Sequence, residues 1–155
     1  MDIEKATLLN EIRFGERLAQ RTARLYRRLQ TFGALVTVVG LTAAAGGWAK
    51  WVPPALATAG FVCGALVGAF VFVVRAGDKA AQNDAEAKRY ARLRSEQHAN
   101  DATTIQAAQL RARESDIPEV EPLRDIAWND VMHETGNADK VHPLSGLQKV
   151  LKALS

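Results

Sequence analysis

The side chains that could support catalysis or hold a metal ion are few and widely spaced in this chain. Asp130 and His133 are three residues apart, so on a helix they would share a face and could hold a metal ion or a proton together. The segment from His133 to Asn137 begins like a zinc-binding HExxH motif but lacks the second histidine. A surface or interface ion pair is therefore the better interpretation of Asp130 and His133.

The other reactive groups do not form a recognisable site. His98 and His142 have no partner at metal-ligand spacing, and the single cysteine, Cys63, lies in an apolar run that favours a packing role. The sequence contains no GxxxxGK(S/T) loop, no GxGxxG loop and no CxxC pair. Because no nucleophile, base and oxyanion site is indicated, we expect neither an enzyme nor a bound metal ion or cofactor.

Two charge-free apolar runs dominate the middle of the chain. They cover residues 31–49 and 52–74, and only Lys50 and Trp51 separate them. A helix of about 20 apolar residues crosses a bilayer, so the pattern predicts two transmembrane helices joined by a tight turn. Neither run contains an ionisable Asp, Glu, Lys, Arg or His, which argues against a proton relay, an ion-coupled transporter or a charged selectivity ring.

Basic residues on the outer sides of both runs predict the orientation of this hairpin. Positive charge collects on the cytoplasmic side of a membrane, and the connecting turn carries only Lys50. We therefore expect a multi-pass protein of the bacterial inner (plasma) membrane with both termini in the cytoplasm. Trp48 and Trp51 would lie in the outer interfacial belt. The predicted fold is all-α, an integral membrane hairpin (31–74) with cytoplasmic helical extensions (1–30 and 75–155).

Small residues on the second predicted span form a strip that would allow close helix packing. Gly60, Gly64 and Gly68 lie within about 80° of one another on a helix, and Ala57 extends the strip. Such a glycine zipper lets another backbone approach closely. The strip could pack the hairpin together, with flat positions such as Gly33, Gly40 and Gly46-Gly47 on the first span, or it could join protomers of a homo-oligomer. A chance spacing is the third interpretation, because glycine is common in membrane helices.

Arginines form a stripe about 80° wide on a helix predicted over residues 4–30. The stripe consists of Arg13, Arg17, Arg21, Arg24 and Arg28, and Arg75 follows the second span. Three interpretations stay open: a topology signal with a solvated face, contact with anionic lipid at about 1 kcal/mol per basic residue, and pairing with residues 114–155, which carry eight acidic residues against four Lys/Arg. Nucleic-acid binding is not expected, because no base-stacking aromatic residues accompany the arginines.

The region after the second span is predicted to form further helices. One continues from the second span with Gly77-Asp78 as its candidate kink, and a short one covers residues 103–113. Pro122 starts a third helix that Gly136 ends, and a capping box at Ser145–Gln148 starts the last. The apolar face of the last helix consists of Leu147, Val150, Leu151 and Leu154. Helices this short are not stable alone, so they must fold back on the membrane-proximal helix or pack between protomers.

The layout resembles that of the SLATT superfamily, bacterial two-helix membrane proteins with an arginine-rich leading helix and a cytoplasmic helical tail. The resemblance is carried by EIRFGERLAQRTARLYRRLQ (11–30), which runs into the first span, and by EPLRDIAWNDV (121–131). Residues 5–30 are also similar to small membrane proteins of Mu-like phage and mobile-element clusters. The SLATT resemblance implies a pore-forming or membrane-perturbing effector that a partner triggers.

Two functions follow from these expectations. The first is a homo-oligomeric inner-membrane protein that forms a pore or perturbs the membrane, as a SLATT-like effector or a holin-like protein of a phage or mobile element would. The alternative is a non-conducting membrane anchor or scaffold whose cytoplasmic helices recruit a soluble partner. The expected partners are membrane lipids, further copies of the chain and a soluble cytoplasmic protein, and not nucleic acid.

Overall fold

The computed structural model describes residues 3–44, 53–96, 103–104, 106–107, 109–110 and 120–155, and all regular secondary structure in these ranges is helical. The predicted all-α class is therefore confirmed. Three long helices come first: α1 (Ile3–Ala44), α2 (Pro54–Val74) and α3 (Ala76–Glu96). A 3-10 turn at Glu121–Leu123 leads into α4 (Arg124–Glu134). A second 3-10 turn at Ala138–Lys140 precedes α5 (Gly146–Leu154).

The contacts divide the chain into two units, which are described separately. Residues 26–79 form the hairpin unit, and residues 1–25 with 80–155 form the helical module. Helices α1 and α3 each contribute residues to both units. The predicted outer turn, with Trp48 and Trp51, lies outside the described residues, as do Gly46-Gly47 and His98.

In the hairpin unit, the later part of α1 and α2 pack closely in antiparallel directions. Gly33 lies beside Val71, and Gly40 lies beside Gly60 and Gly64. A Cβ on Gly40 would come 2.9 Å from the carbonyl oxygen of Gly60, so the two backbones are too close for any larger residue. The outward-facing side chains are large and apolar, and they include Phe32, Leu35, Val38, Leu66, Phe70 and Phe72.

The helical stretch Ala55–Glu96, which α2 and α3 form on either side of Arg75, is long and apolar enough to cross a membrane. Its most apolar 18-residue window has a mean hydropathy of 2.3, and only 6% of that window is buried. Exposed apolar side chains of this kind are suited to contact with lipid tails. The described part of the first predicted span ends at Ala44, so a second membrane crossing stays a prediction.

The junction between α2 and α3 is a single residue in the left-handed conformation, Arg75, at φ 52 and ψ 46. Its N–H donates to the carbonyl of Phe72 at 3.1 Å, and α3 begins at Ala76. Glycine is the usual residue here, because a Cβ costs about 1–2 kcal/mol in this conformation. The predicted kink at Gly77-Asp78 is wrong in position, since Gly77 lies within α3 and packs against Gln30.

The helical module is held by two apolar clusters. In the first, Leu18 of α1 packs against Leu123, Ile126 and Ala127 of the C-terminal segment, and the surrounding half-buried side chains are Phe14, Leu25, Val120, Leu144 and Leu151. In the second, Ile12 of α1 packs against Tyr90 of α3. The short C-terminal helices therefore fold back on α1, which is one of the two arrangements expected for them.

Local signals set the ends of the short helices, as predicted. Gly136 follows α4 at φ 74, and the next N–H, that of Asn137, donates to the carbonyl of Met132 at 2.9 Å. The capping box of α5 is complete: the Ser145 hydroxyl accepts from the Gln148 N–H, and the Gln148 side chain accepts from the Ser145 N–H. Pro122 lies in the 3-10 turn that precedes α4.

Candidate functional site

Two arginines of the α1 stripe meet two acidic residues of α4. Arg17 pairs with Glu134, and Arg21 pairs with Asp130 through two hydrogen bonds of 2.6 and 3.0 Å. The two arginines are four residues apart on α1, and the two acidic residues are four residues apart on α4. One turn of α1 therefore faces one turn of α4, and the two helices run in opposite directions there. Among the interpretations of the stripe, this geometry corresponds to pairing with the acidic C-terminal region.

Arg21 also contacts the end of α5. Its Nη1 atom donates to the Ser155 hydroxyl at 3.0 Å and lies 3.5 Å from the carbonyl oxygen of Lys152. The Arg21 side chain is 13% exposed and that of Asp130 22%, so both charges are partly removed from water. One guanidinium thus connects three helices, because its planar fork can hold a carboxylate on one edge and donate from another.

The other predicted arginines have different surroundings. Arg13 is half-buried and Arg24 is exposed, and neither has an ion pair among the residues that the structure describes. Arg28 is exposed and has a polar or electrostatic contact. Arg75, in the hairpin unit, pairs with Asp78 at 2.9 Å, and both side chains are largely exposed. The described contacts of the stripe therefore concentrate at Arg17 and Arg21.

A buried carboxylate that the sequence pattern does not single out lies on α1 next to this stripe. Glu16 is 3% exposed, and its Oε2 atom lies 3.0 Å from Nη1 of Arg94 on α3. Its other oxygen accepts a hydrogen bond from Gln20 at 3.1 Å. The sequence contains one signal for this contact, which is an acidic residue within an arginine-dense helix. If such a carboxylate is buried, it needs a cation as its partner, and here that cation comes from α3.

A second polar cluster joins α4 to α5 and to the segment before it. Asp125 lies 3.0 Å from Nδ1 of His142 and accepts a hydrogen bond from the Gln148 side chain at 2.7 Å. The hydrogen bonds from His142 and Gln148 lower the pKa of Asp125 below its ordinary value of 3.8. Asn129, which is buried, donates to the His142 carbonyl and accepts from its N–H, both at 2.8 Å.

Aromatic contacts complete this cluster. The Trp128 ring packs edge-on against Phe14 of α1 at 6.3 Å and stacks with His142 at 6.0 Å. Its indole N–H donates to the Lys140 carbonyl at 3.1 Å. Contacts to both the ring and the backbone of His142 therefore fix its conformation. These contacts indicate a structural role for this histidine.

The apolar face predicted for α5 is divided between the core and solvent. Leu151 packs in the main cluster of the module, whereas Leu147, Val150 and Leu154 are 63%, 57% and 45% exposed. Three large apolar side chains on one side of a short helix form a continuous exposed patch. A patch of this kind is typical of a surface that contacts another protein or a membrane.

The glycine strip of α2 faces α1 over part of its length. A Cβ on Gly64 would lie 3.2 Å from both the Gly40 Cα and the Val36 carbonyl oxygen, and a Cβ on Gly68 would lie 2.7 Å from the Thr37 hydroxyl. At Gly60 a Cβ would meet nothing within 4 Å among the residues that the structure describes. Ala57 is half-buried. Gly64 and Gly68 thus contact the same chain, while the Cα of Gly60 presents an open surface.

Asp130 and His133, the two residues that could have shared a metal ion, have different surroundings. Asp130 pairs with Arg21, and His133 is exposed at the end of α4. In the part of the chain that the structure describes, no group of three or more His, Cys, Asp or Glu side chains is placed to hold a metal ion.

Comparison of the chain with protein-family models, with curated proteins and with solved structures finds no match. The functional interpretation therefore rests on the contacts and charges of the chain itself.

Proposed function

We propose that this chain is a membrane-anchored scaffold, in which a transmembrane hairpin holds a cytoplasmic helical module that recruits a soluble partner. The observation that carries the proposal is the character of the hairpin surface. Both helices present large apolar side chains outward, including Leu35, Val39 and Leu41 on α1 and Leu56, Val62 and Val73 on α2. Such a surface is suited to lipid on all sides.

Two threonine hydroxyls in the described part of the first span bond to their own helix, which supports an anchor. The Thr37 hydroxyl donates to the Gly33 carbonyl at 2.8 Å, and the Thr42 hydroxyl donates to the Val38 carbonyl at 3.0 Å. Hydroxyls bonded to their own helix do not need water, whereas a water-filled pore requires a polar face.

The module supplies the surface for a partner. Its helices are tied to α1 by the pairs of Arg17 and Arg21, so the exposed patch on α5 is presented by a fixed framework. The patch is apolar at Leu147, Val150 and Leu154, and Lys149 and Lys152 lie on the same helix. An amphipathic helix of this kind binds a hydrophobic groove on another protein.

A second candidate function is an oligomeric pore-forming or membrane-perturbing protein of a phage or mobile element. The open surface at Gly60 favours it, because a second copy of α2 could approach the backbone there. This candidate requires that copies associate through α2 and that the assembled spans conduct.

Expression in bacteria with a membrane-impermeant dye distinguishes the two candidates. A scaffold remains in the membrane after alkaline carbonate extraction and leaves the cells impermeable to the dye at the same expression level. A pore admits the dye and arrests growth, and Gly60→Leu abolishes both effects if copies associate through the open surface at Gly60. A monomer in detergent excludes the pore, and release by carbonate excludes both candidates.

Partner recruitment is tested on the α5 patch. The double variant Leu147→Asp, Val150→Asp changes two exposed side chains, so the module should fold and the chain should stay in the membrane. The scaffold function predicts that proteins co-purifying with the wild-type chain are lost. As a matched control, Lys149→Asp, Lys152→Asp on the opposite face should retain them. Identical co-purification with all three chains would contradict recruitment through α5.

A further inference from the structure

An open groove runs between α1 and α2 at the Arg75 end of the hairpin unit. Its volume is about 950 Å³. Its walls are mainly apolar and include Ala34 and Val38 of α1 and Val71 and Phe72 of α2. Gly33 and Gly68 also line it, and they allow the two helices to approach closely at its base, with Gly33 against Val71 and Gly68 against Thr37. The groove is therefore suited to a narrow apolar chain.

One end of the groove is polar, and with Lys79 one turn beyond it the two basic residues there outnumber the single acidic residue, Asp78. Gln30, Arg75 and Asp78 line it there, and Arg75 is 77% exposed. One turn beyond, the Lys79 ammonium lies 5.4 Å above the Tyr26 ring. The Arg75–Asp78 pair is a surface ion pair of the kind that contributes about 0–1 kcal/mol, so an anionic group can replace Asp78 as the partner of Arg75 at little cost.

The dimensions of the groove match one leaflet of a bilayer. Its lining on α1 extends from Gln30 to Val38, which at 1.5 Å per residue is about 12 Å. The hydrocarbon of one leaflet is about 15 Å deep, half of a core of about 30 Å. Arg75 follows directly after the apolar run that ends at Val74, the position at which headgroups are expected. The polar end and the apolar length thus coincide with a headgroup and its acyl chain.

We infer that this groove binds an anionic phospholipid, with an acyl chain between α1 and α2 and the headgroup phosphate at Arg75 and Lys79. The inference rests on the proposed insertion of the hairpin in a membrane. Charge complementarity at one end and apolar walls along the rest select an amphiphile with a negative head. Basic sites between transmembrane helices on the cytoplasmic side recognise headgroups of this kind.

Native mass spectrometry of the full chain in detergent, with phosphatidylglycerol or phosphatidylcholine added, tests the site. The wild-type chain should retain phosphatidylglycerol at least about fivefold better, the effect of one basic residue at an anionic lipid surface. Ala34→Phe fills the groove and should abolish the preference. Arg75→Asn removes the charge with a residue that tolerates the left-handed conformation, and should reduce the preference about fivefold.

The matched control is Leu35→Phe, which adds an aromatic ring at a neighbouring exposed position outside the groove and should retain the preference. Equal retention of the two lipids by the wild-type chain, or an unchanged preference in Ala34→Phe, would overturn the inference. Displacement of the lipid by excess inorganic phosphate would assign the site to a free anion instead. A change of oligomer size in Ala34→Phe with unchanged lipid retention would assign the groove to a second copy of the chain.

Failure of the lipid site and failure of membrane anchoring are distinguishable. A chain that resists carbonate extraction but shows no lipid preference contradicts only the groove. A chain that carbonate releases contradicts the anchor, and the groove assignment fails with it.

Discussion

The arginines of α1 differ in what surrounds them, although they share one stripe. Arg21 is held by Asp130 and Ser155 and is largely covered, whereas Arg24 is exposed one turn further along. A charge-assisted pair that is partly buried contributes more than a surface charge, because removal of one member leaves the other poorly solvated. The stability of the module should therefore depend on individual arginines and not on the total charge of the stripe.

The first prediction is that Arg21→Ala destabilises the helical module by about 1.5–3 kcal/mol, because it removes hydrogen bonds to a carboxylate. Arg24→Ala, the matched control, should change the stability by no more than about 0.5 kcal/mol. Unfolding is followed by the fluorescence of Trp128 in a Trp48→Phe, Trp51→Phe background, in detergent and with urea. Equal destabilisation by the two variants would show that the contact of Arg21 with α4 does not stabilise the module.

The second prediction concerns how the stability of the helical module depends on pH. Asp125 has a pKa below 3.8 in the folded chain because His142 and Gln148 bond to its carboxylate. A lowered pKa stabilises the folded state at pH values above 3.8, and this contribution is lost as the pH falls through the folded value. Wild type should thus be more stable than Asp125→Asn at pH 6, and the difference should shrink at pH 3. Asp139→Asn, an exposed control, should show a smaller change between the two pH values. A constant difference would contradict the role of the carboxylate.

At the scale of elements, α1 and α2 are brought together by glycines of both helices. Gly64 contacts the backbone of α1 at Gly40 and Val36, so an added methyl group has no flexible neighbour to displace. Gly60, one turn away on the same strip, has open space at its Cα as far as the described part of the chain extends. The strip is one pattern in the sequence but has two different environments in the structure, because α1 covers only part of it.

The third prediction separates these environments. Gly64→Ala should destabilise the hairpin by about 1–3 kcal/mol, since overpacking forces the helices apart. Gly60→Ala should be neutral or stabilise α2 by about 0.5–1 kcal/mol, the difference in helix propensity. Titration of the chain in micelles with sodium dodecyl sulfate, followed by circular dichroism, measures both effects. Loss of oligomers in Gly60→Ala, with the hairpin intact, would instead assign Gly60 to a contact between protomers.

At the scale of the whole molecule, the sequence predicted the local features better than the distant ones. The capping box of α5 and the end of α4 at Gly136 depend on residues within one turn, so composition and spacing were sufficient. The pairing of Arg21 with Asp130 joins residues 109 positions apart, and spacing alone did not favour α4 over lipid as the partner. Likewise, the sequence shows the apolar face of α5 but not which of its side chains the rest of the module covers, because that depends on the packing of distant residues.

The last prediction concerns how many times the chain crosses the membrane. Two spans place Thr7 and Lys149 on the same side, in the cytoplasm, and Lys50 outside. In a Cys63→Ala background, Lys50→Cys should react with an impermeant maleimide on intact cells, whereas Thr7→Cys and Lys149→Cys should react only after permeabilisation. A single crossing through α2 places the two ends on opposite sides, so one of these two cysteines would react in intact cells. That result would contradict the two-span hairpin. It would also contradict the scaffold, because α1 and α4 would lie on opposite sides of the membrane and could not form the ion pairs that hold the module together.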